Sequence, residues 1–379
     1  HNTFIGNEAG LGDNSAPYSS GEKNTAVGSE ALKGFTSGYH NVAVGYQSLT
    51  STTTGHNNVA VGYGALDSLT TGDFTTAVGR SAGSNVSNGR FNTFYGYNAG
   101  GNSNASHVVA IGYNVYGSGA SNKSYGVYIG SNAGRYDTSG ESTIAIGYNA
   151  VACDSGGGNN PSSCIGIGNN ALSGITGQAR SNIGIGASAV NNITNGEYNT
   201  AMGQSVGSTL TTGDNNVLIG YNADVSAAAG TNQIVLGQGA TGVGDNTAII
   251  GNSSVTDVYM GDNGSTWSTT SDGRLKENVE DWNVGLDAIN NLRIVSYNFK
   301  KDNPYKYNSD KKRQGIIAQE AQKVLPEMIK DDGEWLSANQ EPMIWALVNS
   351  VKELSSENKE LKDELNELKI FIKKKLGDE

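Results

Sequence analysis

Thr25-Ala26-Val27-Gly28, Val42-Ala43-Val44-Gly45, Val59-Ala60-Val61-Gly62 and Thr76-Ala77-Val78-Gly79 are four copies of one phrase, spaced 17 residues apart. The same hydrophobic triplet and glycine return at Gly96, Gly112, Gly130, Gly147, Gly168, Gly186, Gly203, Gly220, Gly237 and Gly251, with Gly6 ahead of them all. Most other steps lie within one residue of 17; the exceptions are 22 before Gly28, 21 before Gly168 and 14 before Gly251. A second glycine often sits seven residues before the first, as at Gly38, Gly55 and Gly72. An asparagine often opens the triplet, as at Asn41, Asn58, Asn182 and Asn199. A fixed period this short indicates a solenoid. The triplets are too short and too β-branched for helices. Each coil is expected to hold two short strands and two tight turns, with Gly, Asn and Asp where φ is positive. The expected inward residues are Ala43 and Val44 with Leu49. Coils stacked about 4.8 Å apart over the fourteen steps would span on the order of 65 Å. So small a core per coil favours three rolls sharing a seam.

Composition breaks near residue 271. Residues 1–271 carry 7 Lys and Arg and 15 Asp and Glu; residues 272–379 carry 18 and 21. Of 53 glycines, 48 precede the break, without the Gly-X-Y period of collagen. Such a shift marks a domain boundary. A net charge of −11 argues against nucleic-acid binding. No apolar run is long enough for a membrane helix. The chain opens at His1 inside the repeat, which reads as a fragment of a longer protein. Cys153 and Cys164 are the only cysteines. They read either as unrelated small residues or as a local disulfide, and no metal-site spacing surrounds them.

Within the repeat the acids are sparse and unpaired, including Glu8, Glu22, Glu30, Asp67, Asp73 and Glu141. Glycoside cleavage needs two facing carboxylates, so it is disfavoured. Tyr46, Tyr63, Tyr97, Tyr113, Tyr148 and Tyr221 each follow a repeat glycine and are expected to form a ladder along one face. The ladder reads either as a strip that stacks on sugars or, as favoured, as a cross-coil cap on the core or seam. His40, His56 and His107 read as surface turn residues.

The Asn-x-Ala-Val-Gly-x-x-Ala pattern over about residues 1–260 resembles the head repeats of trimeric autotransporter adhesins, which form left-handed parallel β-rolls, and similar repeats occur in bacteriophage tail fibres. The adhesin repeat is usually shorter than 17.

Past Asp262-Asn263-Gly264, a hairpin-type turn signal, comes Ser271-Asp272-Gly273-Arg274-Leu275-Lys276-Glu277-Asn278. Serine needs a base to become a nucleophile. Lysine serves only where its pKa is lowered. Lys276 can fold back to Ser271 across one turn, and Arg274 could depress that lysine or orient Asp272. Spacing alone is equally met by a solvated turn that opens a helix with Asp272 as N-cap.

The stretch from Thr270 to Val279 resembles the opening motif of the endosialidase-type intramolecular chaperone domain. The likeness continues through Ile294-Val295-Ser296-Tyr297-Asn298-Phe299, Gly315-Ile316-Ile317-Ala318-Gln319-Glu320 and Val324-Leu325-Pro326 to a C-terminal helix. That resemblance implies a domain that trimerises, templates the fibre ahead of it and then cuts itself off. Carried over, the dyad is Ser271 and Lys276, the scissile bond is Ser271–Asp272, and Arg274, Gln319 and Glu320 are supporting residues. Attack of Ser271 on its own carbonyl would form a strained four-membered lactone. Attack on the Thr270 carbonyl, or cleavage in trans within a trimer, therefore stays open. The same resemblance implies a homotrimer, other virion tail proteins and a host-surface glycan or protein receptor as partners. It implies a virion location, with the chaperone domain made in the host cytoplasm and released.

In the C-terminal part, Val284–Leu292 reads as a helix, Ile294–Phe299 and Gln314–Ala318 as strands, and Ala318–Val324 as a helix ending before Pro326. Asp302–Arg313 is a polar, basic excursion whose lysines read as a solvated face. From Ile344 a heptad holds Ile344, Val351, Asn358, Leu365 and Ile372 at a, and Leu347, Leu354, Leu361, Leu368 and Lys375 at d. This predicts a coiled coil over about 344–376, with Asn358 setting register.

The expectation is a mainly β chain: a parallel β-roll or β-solenoid over 1–260 in a trimer, a junction at 261–271, and a small α+β domain over 272–379 ending in a coiled coil. The expected function is host attachment by a tail fibre with a self-removing clamp. No cofactor, metal, nucleic acid or membrane is expected. The alternatives are a bacterial trimeric surface adhesin and a polysaccharide-degrading tailspike.

Overall fold

The computed structural model describes residues 1–12, 19–101, 104–116, 124–137, 141–153, 161–255, 271–302, 309–331, 333 and 335–377. The chain divides into two compact units, His1–Val258 and Tyr259–Glu379.

The first unit is one parallel sheet of fifteen three-residue strands, β1 (Thr3–Ile5) to β15 (Ala248–Ile250), each bonded to the next in chain order. β3 (Val42–Val44) pairs with β4 (Val59–Val61) as Val42↔Val59, Ala43↔Ala60 and Val44↔Val61, so the sheet register is the sequence repeat itself. This is the expected parallel solenoid, with two corrections.

Among the described residues each coil has one strand, where two were expected. After the repeat glycine the backbone turns left-handed at Gln47 (φ 54°) and Leu49 (φ 51°), which breaks any second extended run. The stacking hydrogen bonds persist without it: Leu49 N–H donates to Ala65 C=O at 3.0 Å. A left-handed leucine costs about 1–2 kcal/mol. Leu49 is fully buried, and burying its side chain returns about 1.5–3 kcal/mol.

The second correction concerns Val44. Successive strand residues point to opposite faces. Ala43 and Leu49 are fully buried, whereas Val42 and Val44 lie on the outer face, half-buried. The core column is therefore the middle residue of each strand, together with the apolar residue of the following turn.

The asparagines that open the triplets are buried and form a ladder. Asn199 donates to Gly213 C=O at 2.9 Å and accepts from Asn216 N–H at 3.0 Å. The repeat glycines are required by closeness: a Cβ on Gly45 (φ 126°) would lie 2.6 Å from the Gly62 carbonyl oxygen.

The expected tyrosine ladder forms in two pairs, while Tyr148 and Tyr221 stack on no other ring among the described residues. Tyr46 and Tyr63 have ring centroids 5.3 Å apart, and Tyr97 stacks on Tyr113 at 5.2 Å. Arg80 fills the gap, its guanidinium 5.5 Å from the Tyr63 ring and 5.7 Å from that of Tyr97. A second aromatic ladder, absent from the sequence reading, joins Tyr39, His56, Phe74, Phe91, His107 and Tyr125 at centroid spacings of 4.7–5.6 Å. His56 and His107 thus belong to a stacked row, and His56 Nδ1 also meets Asp73 Oδ1 at 2.7 Å. Cys153 and Cys164 are buried thiols with no disulfide between them.

In the second unit α1 (Leu286–Asn291) packs on α3 (Glu341–Leu376). Glu353 on α3 accepts the Leu286 N–H at 2.8 Å, satisfying the start of α1. β16 (Val295–Tyr297) pairs antiparallel with β17 (Arg313–Gly315), and α2 (Ala318–Ala321) follows. A hairpin of β18 (Ile329–Asp331) and β19 (Leu336–Ala338) was not expected from the sequence. Residues 303–308 of the basic excursion and the turn signal at 262–264 lie outside the described residues. The buried apolar residues described here are few: Ala288, Ala321, Leu325, Met328 and Ala346. So small a core supplies little stability to one copy.

Candidate active site

Ser271 and Lys276 lie at the two ends of a single 3-10 turn, Gly273–Leu275. Asp272 caps it: its carboxylate accepts the Arg274 N–H at 2.9 Å, and Leu275 N–H donates to Asp272 C=O at 3.1 Å. Gly273 and Leu275 carry the chain round, and Lys276 N–H closes the turn on Gly273 C=O at 3.2 Å. This reversal brings Lys276 Nζ to 2.8 Å from Ser271 Oγ, with the amine donating.

Arg274 is committed elsewhere. Its Nε donates to both Asp272 carboxylate oxygens at 3.1 Å, and Nη2 lies 2.5 Å from Oδ2. The hydrogen bond from Arg274 holds the Asp272 carboxyl below the usual carboxylate range, and Asp272 raises Arg274 in turn. Of the two sequence readings of Arg274, the structure has the one in which it orients Asp272. The whole turn is exposed: Ser271, Arg274 and Lys276 all face solvent.

Gln319 and Glu320 sit on α2, apart from this turn. Glu320 accepts from Arg293 Nη1 at 2.9 Å, a pairing 27 residues apart that no local pattern signals. Among the described residues, no hydrogen bond joins Gln319 or Glu320 to Ser271 or Lys276. Asn358 lies mid-way along α3, its Nδ2 donating to Leu354 C=O at 2.8 Å. Among the described residues no group of three or more metal-ligating side chains converges.

A serine hydroxyl beside an amine across a tight turn can act as a nucleophile with its base, once the amine is neutral and accepts the hydroxyl proton. The same turn lies inside a recognisable segment. Residues 271–330 match the family described as Chaperone of endosialidase. The family carries a peptidase name, and the match begins at Ser271 itself. A stretch of 118 residues is 34% identical to Long tail fiber protein Gp37 of Enterobacteria phage Ox2, covering 30% of this chain and 43% of that protein. Another alignment, over 114 residues, is 30% identical to Myelin regulatory factor homolog 1 of Caenorhabditis elegans, covering 28% of this chain and 12% of that protein. The chain thus spans less than half the length of these curated relatives.

Proposed function

We propose that this chain is the distal part of a virion tail fibre that attaches to a host surface glycan or protein, working as a homotrimer beside other tail proteins. Residues 1–260 are its β-solenoid, 261–271 a junction, and 272–379 an intramolecular chaperone that assembles the trimer and then removes itself. The observation that carries this reading is the 2.8 Å contact of Lys276 Nζ with Ser271 Oγ, within a segment that matches a chaperone family of peptidase name.

Assembly rests on α3. Its a and d side chains stay exposed in one chain, among them Val351 at 66%, Leu361 at 62% and Leu368 at 52%. An apolar seam repeating every seven residues drives helices together. Three such helices, with Asn358 setting register, hold three solenoids level before they close. A solenoid whose coils are near-identical can slip by a whole coil, so an external clamp lowers the entropy of correct closure.

Removal of the clamp follows in one step. Ser271 Oγ attacks the Ser271 carbonyl of a neighbouring chain, since attack on its own would close a four-membered ring. A C–O bond forms and the C–N bond to Asp272 breaks. Lys276, as the free amine, takes the hydroxyl proton and delivers it to the departing Asp272 nitrogen. Water then hydrolyses the ester, leaving Ser271 as a new C-terminus. The fibre then cannot return to its assembly path, which makes it kinetically stable. The released domain stays in the host cytoplasm.

The test is denaturing mass spectrometry of the purified chain beside Ser271→Ala and Lys276→Ala. A wild-type fragment beginning at Asp272, absent from both variants, is expected. A fragment beginning at Ser271 would move the bond to Thr270–Ser271. An intact wild-type trimer would leave a fibre that keeps its clamp.

A further inference from the structure

The row that joins Tyr39, His56, Phe74, Phe91, His107 and Tyr125 is closed along its middle. Phe74 stacks on Phe91 at 5.2 Å and 5°, and Phe91 on His107 at 5.0 Å, so the faces of these rings meet other rings and their edges are left to water. Tyr39 opens the row and differs from them. One face lies on His56 at a centroid distance of 4.7 Å and 12°, and His40 meets the ring edge-on at 5.1 Å. Among the described residues the preceding coil places no ring against the other face. Seventeen residues before Tyr39 and His40 stand Glu22 and Lys23 instead. The His40 N–H donates to Glu22 C=O at 3.0 Å, which fixes the two coils in that register.

A cleft of about 290 Å³ lies between these two coils, lined by Ser20, Glu22, Lys23, Ser37, Tyr39 and His40. Tyr39 is 41% exposed there, and Glu22, Lys23 and Ser37 face solvent. Among the described residues no hydrogen bond or ion pair engages the Glu22 carboxylate or the Lys23 ammonium. We propose that this cleft binds one neutral pyranose ring of a surface glycan, stacked on Tyr39 with its hydroxyls held by Glu22 and Lys23. This deepens the attachment reading above and rests on it.

The ligand class follows from what the cleft offers. A pyranose has a face of C–H bonds and a rim of hydroxyls. The C–H face suits the electron-rich face of a tyrosine ring. A carboxylate only accepts hydrogen bonds and an ammonium only donates them. A hydroxyl does both, so a neutral polyol satisfies Glu22 and Lys23 together with charge-assisted bonds. A charged ligand is attracted by one of them and repelled by the other. Ser20 and Ser37 add hydroxyls that donate or accept as needed. The volume lies near the ~300 Å³ lower bound of small-molecule sites, which suits one ring rather than an extended chain. His56 and His40 already hold Tyr39, so binding spends little on ordering it. One shallow site is weak, and several copies meeting a repetitive glycan raise the avidity.

The test is saturation-transfer NMR on the full chain with the methyl glycosides of glucose, galactose, mannose and N-acetylglucosamine, beside N-acetylneuraminic acid as an anionic sugar. Transfer to the ring C–H protons of at least one neutral glycoside, exceeding that to the acid, is expected. Tyr39→Ala should abolish it. Glu22→Gln alters an exposed side chain without a partner among the described residues, so the coil stays folded. It should weaken binding roughly 10-fold, the loss of one charge-assisted hydrogen bond. Tyr148→Ala, at an exposed tyrosine that stacks on no other ring among the described residues, should change nothing. Transfer to no neutral glycoside, stronger transfer to the acid, or transfer that survives both Tyr39→Ala and Glu22→Gln overturns the site. Adsorption of the fluorescently labelled chain to a panel of bacterial cells separates this from the attachment reading. Adsorption equal in wild type and both variants overturns the site and leaves attachment to another surface of the chain. A wild type that neither adsorbs nor shows transfer removes both.

Discussion

The side-chain amide of Asn41 donates to the carbonyl of Gly55, one coil further on, at 2.8 Å, while its oxygen accepts the backbone N–H of Asn58 at 3.0 Å. The two sequence signals of the repeat, an asparagine before the triplet and a glycine seven residues before the repeat glycine, are thus one contact. Asn41 is fully buried, so both ends of its amide must be satisfied inside the coil stack.

Asn58→Ala strips a donor from Gly72 C=O and an acceptor from Thr75 N–H. Each orphaned buried group costs about 1–3 kcal/mol. The expected outcome is a lower urea midpoint, with faster hydrogen exchange at Thr75. Unchanged exchange there would show that the ladder contributes nothing.

Gly45→Ala is expected to abolish folding of the surrounding coils, because its Cβ would sit 2.6 Å from the Gly62 carbonyl oxygen. Gly64→Ala (φ 59°), with no neighbour nearer than 3.5 Å, should cost only the left-handed penalty of about 1–2 kcal/mol. Soluble yield and thermal midpoints of the two variants separate packing from backbone strain.

Burial pushes the Cys164 thiol up to about 12, and its Sγ lies 3.0 Å from Ala179 C=O. The folded value exceeds the unfolded one of about 8.5, so the thiol's contribution is full below that pH and is lost as pH rises towards about 12. Native protein should resist iodoacetamide at Cys164 at pH 8, and Cys164→Ala should flatten the alkaline loss of stability. Rapid alkylation of the native chain would contradict this burial.

Arg274→Ala frees the Asp272 carboxyl and loosens the turn that sets Ser271 beside Lys276. A misplaced nucleophile costs on the order of 100-fold in rate, so the proposed self-cleavage should slow about 10- to 100-fold without stopping. The Asp272 contribution is complete above about pH 4 and is lost as pH falls through its depressed folded value. A carboxyl titration by NMR with an ordinary midpoint would remove the pair from the account.

Asn358→Leu should raise the melting temperature of the helical signal while broadening the distribution of oligomer masses, since a polar a residue exchanges stability for register. Leu361→Glu, at an exposed d position, should instead abolish association. A sharp single mass for Asn358→Leu would leave register to the solenoid.

Much of this was legible in the sequence because the signals are local or strictly periodic. The 17-residue step, the glycines and the heptad of α3 need only counting. The turn at 272–276 is equally local: its spacing allowed Lys276 to fold back to Ser271, and the resemblance named the pair. The tyrosine ladder was legible for the same reason: Tyr46 and Tyr63 occupy one register. The second ladder was not, because His56 and Phe74 fall one residue out of register and meet only after the coils stack. Glu320 and Arg293, 27 residues apart, left no local trace either.

By itself, then, the sequence determined the repeat, its parallel stacking, the break near residue 271 and the helix that follows. Only the tertiary structure decided which side of each strand is the inside. A three-residue strand reads the same from both faces, since Val42, Ala43 and Val44 are all apolar. The choice is made by what shares the inner side: Ala43, Leu49 and the bonded amide of Asn41 are all fully buried there. Val42 and Val44 are turned outward as a consequence, and the outer side of the sheet carries the two end residues of each strand.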